Sequence, residues 1–345
     1  MADEPGRRMR AEIAEQPGLL SAAVRRRSAV AEVAAWISAR PPRFVLLAAR
    51  GSSDHAALYA KYLCEVLLQL PCGLVSPSTT TLYGARPDLS DVLWIAVSQS
   101  GGSPDLVEAT RAAREQGALT VAVTNTPASP LAEATELAVD IGAGPELAVA
   151  ATKTYSATLM ALYLLVDAVR GGDGAHAAAL GDLAAEALES TAAATGAAAA
   201  RLRFVDRMIT TGRGYSSATA AEAALKLAET SYLSARSYSG ADLLHGPVAA
   251  VDGETAALAI SSAGEGGTAL GEVLPQVRAQ GAELISVGSL RPAVESLHIP
   301  LPGTAEEVAP ILEVLPVQSL ALRLALVRGV DPDQPRGLDK VTRTR

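Results

Sequence analysis

The sequence contains few aromatic residues, cysteines and histidines, and each shortage excludes a class of protein. Phe, Trp and Tyr make up 3% of the 345 residues, so stacking platforms for single-stranded nucleic acid are not expected. The two cysteines, Cys64 and Cys72, cannot build a disulfide framework and form no CxxC pair, which favours a reducing compartment. The four histidines lie far apart and give no local zinc signature. We therefore expect neither a metal nor a cofactor.

The chain also lacks an excess of positive charge and a long hydrophobic run. Its net charge is -8, which argues against a binding surface for the phosphate backbone of nucleic acid. Arginine clusters at residues 7–10 and 25–27 could form a DNA-binding arm, but the exposed face of an N-terminal helical segment fits better. The apolar run at residues 157–166 is too short to span a bilayer, and no secretory signal is visible. We expect a cytoplasmic protein without a nucleic-acid or membrane partner.

Apolar residues are abundant, at 49% of the chain, and they recur in short runs separated by segments of helical periodicity. This alternation predicts βαβ units, in which a parallel sheet is covered by helices on both faces. The predicted strands fall into two series, at residues 44–49, 92–97, 119–123 and 137–141, and at residues 208–211, 256–261, 283–287 and 297–301.

The two series are related by a constant offset of 164 residues, which indicates an internal duplication. The matched pairs include Arg43 with Arg207, Leu63 with Leu227, Glu65 with Glu229, Ser98 with Ser262, and Gln116-Gly117-Ala118 with Gln280-Gly281-Ala282. We predict an N-terminal helical segment (1–30), one α/β subdomain (31–175), a connecting helix (176–201), a second α/β subdomain (202–330) and a C-terminal tail (331–345).

Two turns rich in glycine and serine follow neighbouring strands of the first subdomain. The first contains Ser52 and Ser53, and the second contains Ser98, Ser100 and Ser103, with Ser103 predicted as a helix N-cap before a proline. Turn and cap chemistry would explain either turn alone. Both emerge at the carboxyl ends of parallel strands, where backbone N–H groups and hydroxyls converge, and together they favour a phosphate. No Walker A or GxGxxG motif is present, so a small phosphorylated metabolite is favoured over a nucleotide.

Five motifs in order resemble one known family. They are Arg50-Gly51-Ser52-Ser53, Ser98-Gln99-Ser100-Gly101, Ala150-Ala151-Thr152-Lys153-Thr154, the segment from Glu222 to Glu229, and His245-Gly246-Pro247. From about Glu12 to the C-terminus the chain resembles the double SIS (sugar isomerase) domain. More narrowly, it is similar to the isomerase half of glucosamine-6-phosphate synthase and to SIS-type glucosamine-6-phosphate deaminases. The resemblance implies two tandem SIS subdomains, each an αβα sandwich of the flavodoxin-like type.

The resemblance also implies catalytic roles for four residues. Glu229 corresponds to the base that transfers a proton between C1 and C2 of the open sugar, and Lys226 to the lysine beside it. From their spacing alone, this pair would be an ordinary surface salt bridge. His245, otherwise a capping or core histidine, corresponds to a ring-opening residue contributed to the partner's active site, which implies a homodimer. Lys340, in a tail that otherwise suggests fraying, corresponds to a lysine that assists ring opening and can form a Schiff base.

The same resemblance implies a set of substrate-binding residues for the phosphosugar, namely Ser52, Ser53, Ser98, Gln99, Ser100, Ser103 and Val149. The chain shows no glutaminase domain with an N-terminal catalytic cysteine, so we expect hydrolytic deamination of glucosamine 6-phosphate to fructose 6-phosphate and ammonia. Ala151 and Arg50 depart from the synthase pattern and weakly favour this branch. They also leave open a fructosamine-6-phosphate deglycase or a galactosamine-type deaminase. A non-catalytic phosphosugar-binding regulator and an ammonia-utilising subunit without its glutaminase are further alternatives.

Overall fold

The computed structural model describes residues 4–338 and residue 340, in which helices alternate with strands along the chain. The α-helices of this part are α1 Arg7–Arg25, α2 Arg27–Ala39, α3 Ser52–Leu67, α4 Ser78–Thr81, α5 Pro104–Glu115, α6 Pro130–Ala134, α7 Lys153–Val169, α8 Leu180–Ser190, α9 Ala192–Leu202, α10 Ser216–Ser231, α11 Gly240–Leu244, α12 Glu265–Gly271, α13 Leu274–Ala279 and α14 Ala309–Val327. The strands are β1 Phe44–Ala48, β2 Cys72–Leu74, β3 Val92–Val97, β4 Leu119–Thr124, β5 Leu137–Asp140, β6 Arg207–Gly212, β7 Ser234–Ser239, β8 Thr255–Ile260, β9 Glu283–Gly288 and β10 Leu297–Pro300. Short 3₁₀ turns occur at Ala175–Ala177, Pro247–Ala250 and Glu306–Val308.

The strands of the described residues form two five-stranded sheets, in which every pair of neighbours is parallel. The first sheet has the order β2-β1-β3-β4-β5, and the second has the corresponding order β7-β6-β8-β9-β10. Pairing follows the predicted offset, since Val45 opposite Cys72 corresponds to Ile209 opposite Arg236. The predicted fold class is confirmed, and this strand order is the flavodoxin-like one.

Two strands were not predicted from the sequence, and each lies at the edge of its sheet. β2 is only three residues long, too short to show a periodicity. β7 has the sequence SARSYS, with polar side chains on a strand that pairs on one side only. Edge strands are partly exposed, so the apolar signal that identifies buried parallel strands is absent from them.

The described residues divide into two compact units, each containing one sheet. The first-sheet unit comprises Leu19–Glu146, Lys153–Ala178 and Lys340, and the second-sheet unit comprises residues 4–18, Leu147–Thr152 and Ala179–Leu338. In the first-sheet unit α7 packs against α2 and α3. In the second-sheet unit α14 packs against α8, α9 and α10.

The segment predicted as one connecting helix contains two helices, α8 and α9, which meet at Thr191. The Thr191 hydroxyl donates a hydrogen bond to the carbonyl oxygen of Ala187 at 2.6 Å. A threonine that bonds back to the preceding turn tends to bend a helix, which accounts for the interruption. The composition predicted helix here correctly, but composition carries no signal for the bend.

One helical stretch among the described residues is long and apolar enough to cross a membrane. It is Glu306–Val327, with a mean hydropathy of 1.6, and it contains α14. Because 78% of the apolar window is buried within the structure, α14 matches a core helix, which passes the same test of length and composition.

The two cysteines lie close together within the first-sheet unit and are both free and buried. A hydrogen bond with the Cys72 side chain and burial together raise the pKa of the Cys64 thiol well above its usual value. A thiol with a raised pKa carries little thiolate at neutral pH and is a poor nucleophile. This agrees with the absence of any catalytic role for these residues in the sequence analysis.

Candidate active site

The first serine turn joins β1 to α3 in the first-sheet unit. Gly51 has φ +57° and ψ -134°, a conformation that glycine adopts without the steric cost of a Cβ atom. Ser52 and Ser53 are the first two residues of α3, and both are half-buried. The turn therefore places two hydroxyls at a helix N-terminus, where N–H groups without helical partners favour an anion.

The second serine turn joins β3 to α5 in the same unit and is held by its own hydrogen bonds. Ser98 is 8% exposed, and its hydroxyl accepts the Gly101 N–H at 3.1 Å. The Ser100 hydroxyl accepts the Gly102 N–H at 3.3 Å. The Gln99 carbonyl oxygen accepts the Asn125 N–H at 3.1 Å, which fixes the turn to the loop after β4.

Glycine is required at position 101 of this turn for two reasons. Gly101 has φ +61°, and a Cβ there would lie 2.0 Å from the Ser129 hydroxyl oxygen. Ser103 precedes α5 as predicted and Pro104 occupies the first helical position, but the Ser103 side chain makes no capping hydrogen bond. Ser103 is thus the N-cap residue that the sequence predicted, but without a capping hydrogen bond from its side chain.

The repeat in the second-sheet unit shows what the matching serines hold there. The offset relates Ser52 to Ser216 and Ser98 to Ser262. The hydroxyls of Ser216 and Ser262 bond to the carboxyl group of Glu313, a fully buried residue of α14, with the Ser216 contact at 2.7 Å. Thr219 donates a further hydrogen bond to Glu313 at 2.7 Å. The hydroxyls of Ser216, Ser262 and Thr219 thus form a serine cradle, which the Glu313 side chain of the same unit occupies.

A second carboxyl group covers the neighbouring turn of the same copy. Glu306 accepts the N–H groups of Glu265 at 3.0 Å and of Gly266 at 2.8 Å, at the start of α12. A Cβ at Gly264, which has φ +144°, would lie 2.3 Å from the Glu306 side chain. Two carboxyl groups of the same unit, those of Glu313 and Glu306, therefore occupy the turns that correspond to the two serine turns of the first copy.

Burial of Glu313 has a consequence for stability that can be measured. Desolvation raises the pKa of Glu313 although three hydroxyls donate to it. The native state then binds a proton more tightly than the unfolded chain, so this contribution to stability is present below the unfolded pKa and is lost as pH rises through the folded pKa. We expect the free energy of unfolding of the parent, relative to Glu313→Gln, to fall with rising pH. Urea unfolding of both proteins from pH 4 to pH 8 measures this, and a difference independent of pH would contradict it.

A buried lysine and two glutamates form a cluster on α10. Lys226 is 1% exposed; its ammonium group lies 3.5 Å from a carboxylate oxygen of Glu222, which is fully buried, and donates a short hydrogen bond to Glu229. The Glu229 side chain is 23% exposed and is the member of the cluster that reaches solvent. The surface salt bridge expected from spacing alone is wrong, because Lys226 is buried. The cluster instead consists of a buried ion pair, Lys226 with Glu222, and the partly exposed carboxylate of Glu229, which contacts Lys226.

His245 and Val149 lie in the second-sheet unit on segments without regular strand structure. His245 follows α11, its backbone N–H bonds to the Asp242 carbonyl oxygen at 3.0 Å, and its side chain is exposed within the chain. Val149 is half-buried, and the preceding backbone N–H groups of Leu147 and Ala148 donate to the buried carboxylate of Glu12. The role of His245 across a dimer interface stays a prediction.

Lys340 bonds to a buried carboxylate in the first-sheet unit. Its ammonium group lies 2.9 Å from a carboxylate oxygen of Glu146, whose side chain has no exposed area. Thr154 donates to the same carboxylate from its backbone N–H at 3.1 Å and from its hydroxyl at 2.7 Å. Residues 339 and 341–345 of the predicted tail lie outside the described residues.

The tail from Asp331 to Leu338 is anchored rather than frayed. The carboxylate of Asp333 accepts the N–H groups of Arg8 and Met9 in the first turn of α1, at 2.8 and 2.9 Å. The Arg336 guanidinium lies 4.1 Å from the ring centroid of Tyr232, the residue that ends α10. The tail therefore contacts the end of the helix that carries Glu229.

Three residues that contact the candidate residues in the structure were not predicted from the sequence. Glu222 was a detectable omission, since its i,i+4 spacing to Lys226 is visible in the sequence. Glu146 and Asp105, the partners of Lys340 and Arg50, are distant from them in sequence and gave no signal. Among residues 4–338 and 340, no group of three or more His, Cys, Asp or Glu side chains is arranged to hold a metal ion.

The duplicated fold with serine turns in one copy and a lysine–glutamate helix in the other is that of a sugar isomerase domain pair. The chain belongs to the SIS domain family, whose sequence model matches residues 40–168 and 201–328. It is 37% identical over 309 residues to the isomerizing glutamine–fructose-6-phosphate aminotransferase of Pyrobaculum aerophilum, a match covering 86% of this chain and 51% of that protein. The chain thus spans about half the length of the curated relatives it matches.

Two solved structures show the same fold over nearly the whole chain. One is a protein of Silicibacter pomeroyi DSS-3 assigned as a phosphosugar isomerase, with 38% identity, a TM-score of 0.84 and coverage of 94% of this chain and 99% of that one. The other is the C-terminal domain of glucosamine-fructose-6-phosphate aminotransferase from Francisella tularensis, with 25% identity, a TM-score of 0.86 and coverage of 97% and 100%. The resemblance stated from the motifs is therefore confirmed at the level of the family.

Proposed function

We propose that this member of the phosphosugar isomerase family converts glucosamine 6-phosphate and water to fructose 6-phosphate and ammonia. The observation that carries the proposal is the cluster on α10. It holds the Glu229 carboxylate at the edge of solvent, with Lys226 and Glu222 buried behind it. A carboxylate fixed in this way is suited to taking and returning a proton, as an aldose–ketose isomerisation requires.

The chemistry needs one base and one water molecule. In the open-chain aldosamine, Glu229 takes the proton from C2, the C2–H electron pair forms a double bond to C1, and the aldehyde oxygen takes a proton from solvent to become a hydroxyl. The same carboxylic acid returns its proton to C1 while the nitrogen lone pair forms a double bond to C2. The resulting iminium nitrogen loses a proton to solvent, which leaves an imine at C2. Water adds to the C2 imine carbon, and the amine leaves as ammonia when the C2 carbonyl forms. No external oxidant or reductant is consumed.

The serine turns of the first-sheet unit are assigned to the phosphate group. In the second copy the corresponding serines, Ser216 and Ser262, bond to the carboxyl oxygens of Glu313, so this serine arrangement suits an acidic group bearing several oxygens. We assign Ser52, Ser53, Ser98, Gln99, Ser100 and Ser103 to phosphate and sugar binding, with Val149 as a further substrate contact. Their hydroxyls and the helix N-termini supply neutral and dipolar donors for the phosphate.

We assign ring opening to His245 and Lys340, and the surroundings of each residue bear on this role. The exposure of His245 within one chain is compatible with its use by a partner in a homodimer. The Lys340 ammonium lies 2.9 Å from a Glu146 carboxylate oxygen. It would have to leave this carboxylate and lose a proton before the free amine could attack a ketose carbonyl. The homodimer, the hydrolytic outcome and the cytoplasmic location stay predictions.

A second candidate function is favoured by the relatives. Relatives that are 33–37% identical to this chain are glutamine–fructose-6-phosphate aminotransferases, and the chain matches about half of their length. The chain would then carry out the reverse chemistry, in which ammonia adds to fructose 6-phosphate and isomerisation gives glucosamine 6-phosphate. The same Glu229 would transfer the proton in the opposite direction.

Incubation of the purified protein with glucosamine 6-phosphate tests the proposal, with ammonia and fructose 6-phosphate measured separately. We expect equal amounts of both products. Parallel incubations with galactosamine 6-phosphate, fructosamine 6-phosphate, and fructose 6-phosphate plus ammonium identify the other reactions. No product from glucosamine 6-phosphate under conditions where it binds would contradict the deaminase, and binding without turnover of any substrate would indicate a regulator.

A further inference from the structure

An arginine from the first serine turn pairs with an aspartate from the second. The Arg50 guanidinium approaches one carboxylate oxygen of Asp105 through two nitrogens, Nη2 at 2.8 Å and Nε at 3.1 Å. Asp105 is 4% exposed, whereas the Arg50 side chain is 44% exposed. The contact joins the residue just before Gly51 to the first turn of α5, so it links the two turns assigned to phosphate binding.

Asp105 is an unfavourable neighbour for a phosphate unless its charge is balanced. It lies in the first turn of α5, and its other carboxylate oxygen accepts the Leu106 N–H at 2.9 Å. A carboxylate at this position already interacts with the positive end of the helix and repels a second anion there. Asp54, in the first turn of α3, provides another carboxyl group beside the first serine turn. Arg50 also interacts electrostatically with Asp54.

We propose that Arg50 is a positioning residue that neutralises the Asp105 carboxylate between the two serine turns, so that the turns bind a dianionic phosphate. The inference rests on the proposed phosphate role of these turns. Arg50 acts on the phosphate through Asp105 and the turns, and it takes no part in proton transfer. Its loss is expected to weaken the binding of phosphate-bearing ligands while leaving turnover at saturating substrate unchanged.

The second copy of the fold supports this assignment by contrast. The Arg50-Gly51 pair corresponds to Arg213-Gly214. Counted from the N-caps of the two helices, Ser103 and Gly264, the position of Asp105 is occupied by Gly266, which carries no charge. The copy without the aspartate is the one whose serines are occupied by Glu313. The arginine–aspartate pair is therefore present in the copy that is proposed to bind an external phosphate, and the other copy lacks its aspartate.

Binding of inorganic phosphate and of glucose 6-phosphate, measured by calorimetry, tests the inference without relying on catalysis. For Arg50→Met we expect on the order of a tenfold or larger rise in Kd, because an unbalanced carboxylate then lies beside the ligand. In the deamination assay KM should rise while kcat stays within about twofold, a split expected when binding is lost equally from the ground and transition states. Arg50→Lys should recover part of the affinity because it restores the charge without the two-nitrogen contact.

Replacement of Asp105 shows whether Arg50 acts by balancing the charge of this carboxylate or only by supporting the structure of the turns. In the Arg50→Met background, Asp105→Asn should restore most of the phosphate affinity, and Asp105→Asn alone should bind phosphate at least as well as the parent. Arg170→Met is the matched control, because Arg170 pairs at 2.7 Å with Asp167, which is also 4% exposed and in the same unit. It should lower stability while leaving phosphate affinity unchanged.

Three results would overturn the inference, and the first two leave the proposed function standing. Equal phosphate affinity for the parent and Arg50→Met would overturn the role of Arg50 alone. Failure of Asp105→Asn to restore binding, with the double variant folded, would overturn charge balance as the cause. A parent protein that binds neither phosphate probe would overturn the phosphate turns themselves, and with them the proposed function.

Discussion

Replacement of Glu229 by glutamine is expected to lower kcat for glucosamine 6-phosphate by about 10²–10⁴-fold, the usual contribution of a positioned general base. Glutamine keeps the size of the side chain and a hydrogen-bond acceptor for Lys226, but it cannot accept the C2 proton. KM should change little, because the substitution leaves the serine turns intact. Steady-state rates of ammonia release measure the effect.

The internal repeat provides a matched control for this variant. Glu65 occupies the position in α3 that Glu229 occupies in α10, and it also pairs with a lysine, Lys61, at 2.6 Å. Glu65→Gln should retain the parent rate, because that glutamate has no proposed substrate contact. If Glu229→Gln retained the parent rate as well, the role given to Glu229 would be wrong. A matching loss in both variants would indicate a general effect of altering a lysine–glutamate pair.

Replacement of Lys226 by methionine is expected to lower the free energy of unfolding by about 3–5 kcal/mol, the usual cost of removing one partner from a buried ion pair. Glu222 is fully buried and would lose its cationic partner, while Glu229 could still turn toward solvent. Urea unfolding monitored by circular dichroism measures the loss. The size of this effect follows from burial, which the spacing of the residues did not reveal.

Two further variants show whether the cost arises from an uncompensated charge. Lys61→Met removes the lysine that pairs with Glu65 on α3, where the two side chains are 30% and 36% exposed, and should cost about 0–1 kcal/mol. Adding Glu222→Leu to Lys226→Met replaces the buried pair by apolar groups and should recover much of the stability. A double variant no more stable than Lys226→Met would contradict this explanation.

Much of the fold was predictable because buried parallel strands produce uninterrupted apolar runs. All eight predicted strands are present, and the constant offset correctly indicated two copies of one arrangement. The missing elements, β2 and β7, are edge strands whose composition does not differ from that of loops. The break at Thr191 escaped prediction because it depends on one side-chain hydrogen bond within a helix-forming sequence.

For the candidate site residues, the sequence predicts the local secondary structure but not the burial or the distant partners of their side chains. The local sequence predicts Ser52 at the start of a helix, Ser98 directly after a strand and Glu229 on a helix face. The burial of Lys226 depends on what packs over α10, and contacts between distant segments leave no periodic pattern. For the same reason the carboxylates that hold Arg50 and Lys340 became visible only in the structure.

The acidic residue inside the second serine cradle bears on how a duplicated protein divides its tasks. Two equivalent copies would offer two equivalent places for a ligand, yet Glu313 and Glu306, on α14 and the turn before it, fill the cradle and its neighbouring turn in one of them. The serine cradle of that copy is therefore part of the packing of its own unit. The same unit carries α10, whose Ser216 belongs to this cradle and whose Lys226 and Glu229 form the ion-pair cluster. The two copies share one backbone arrangement, but the positions of a few carboxyl groups make their side-chain chemistry different.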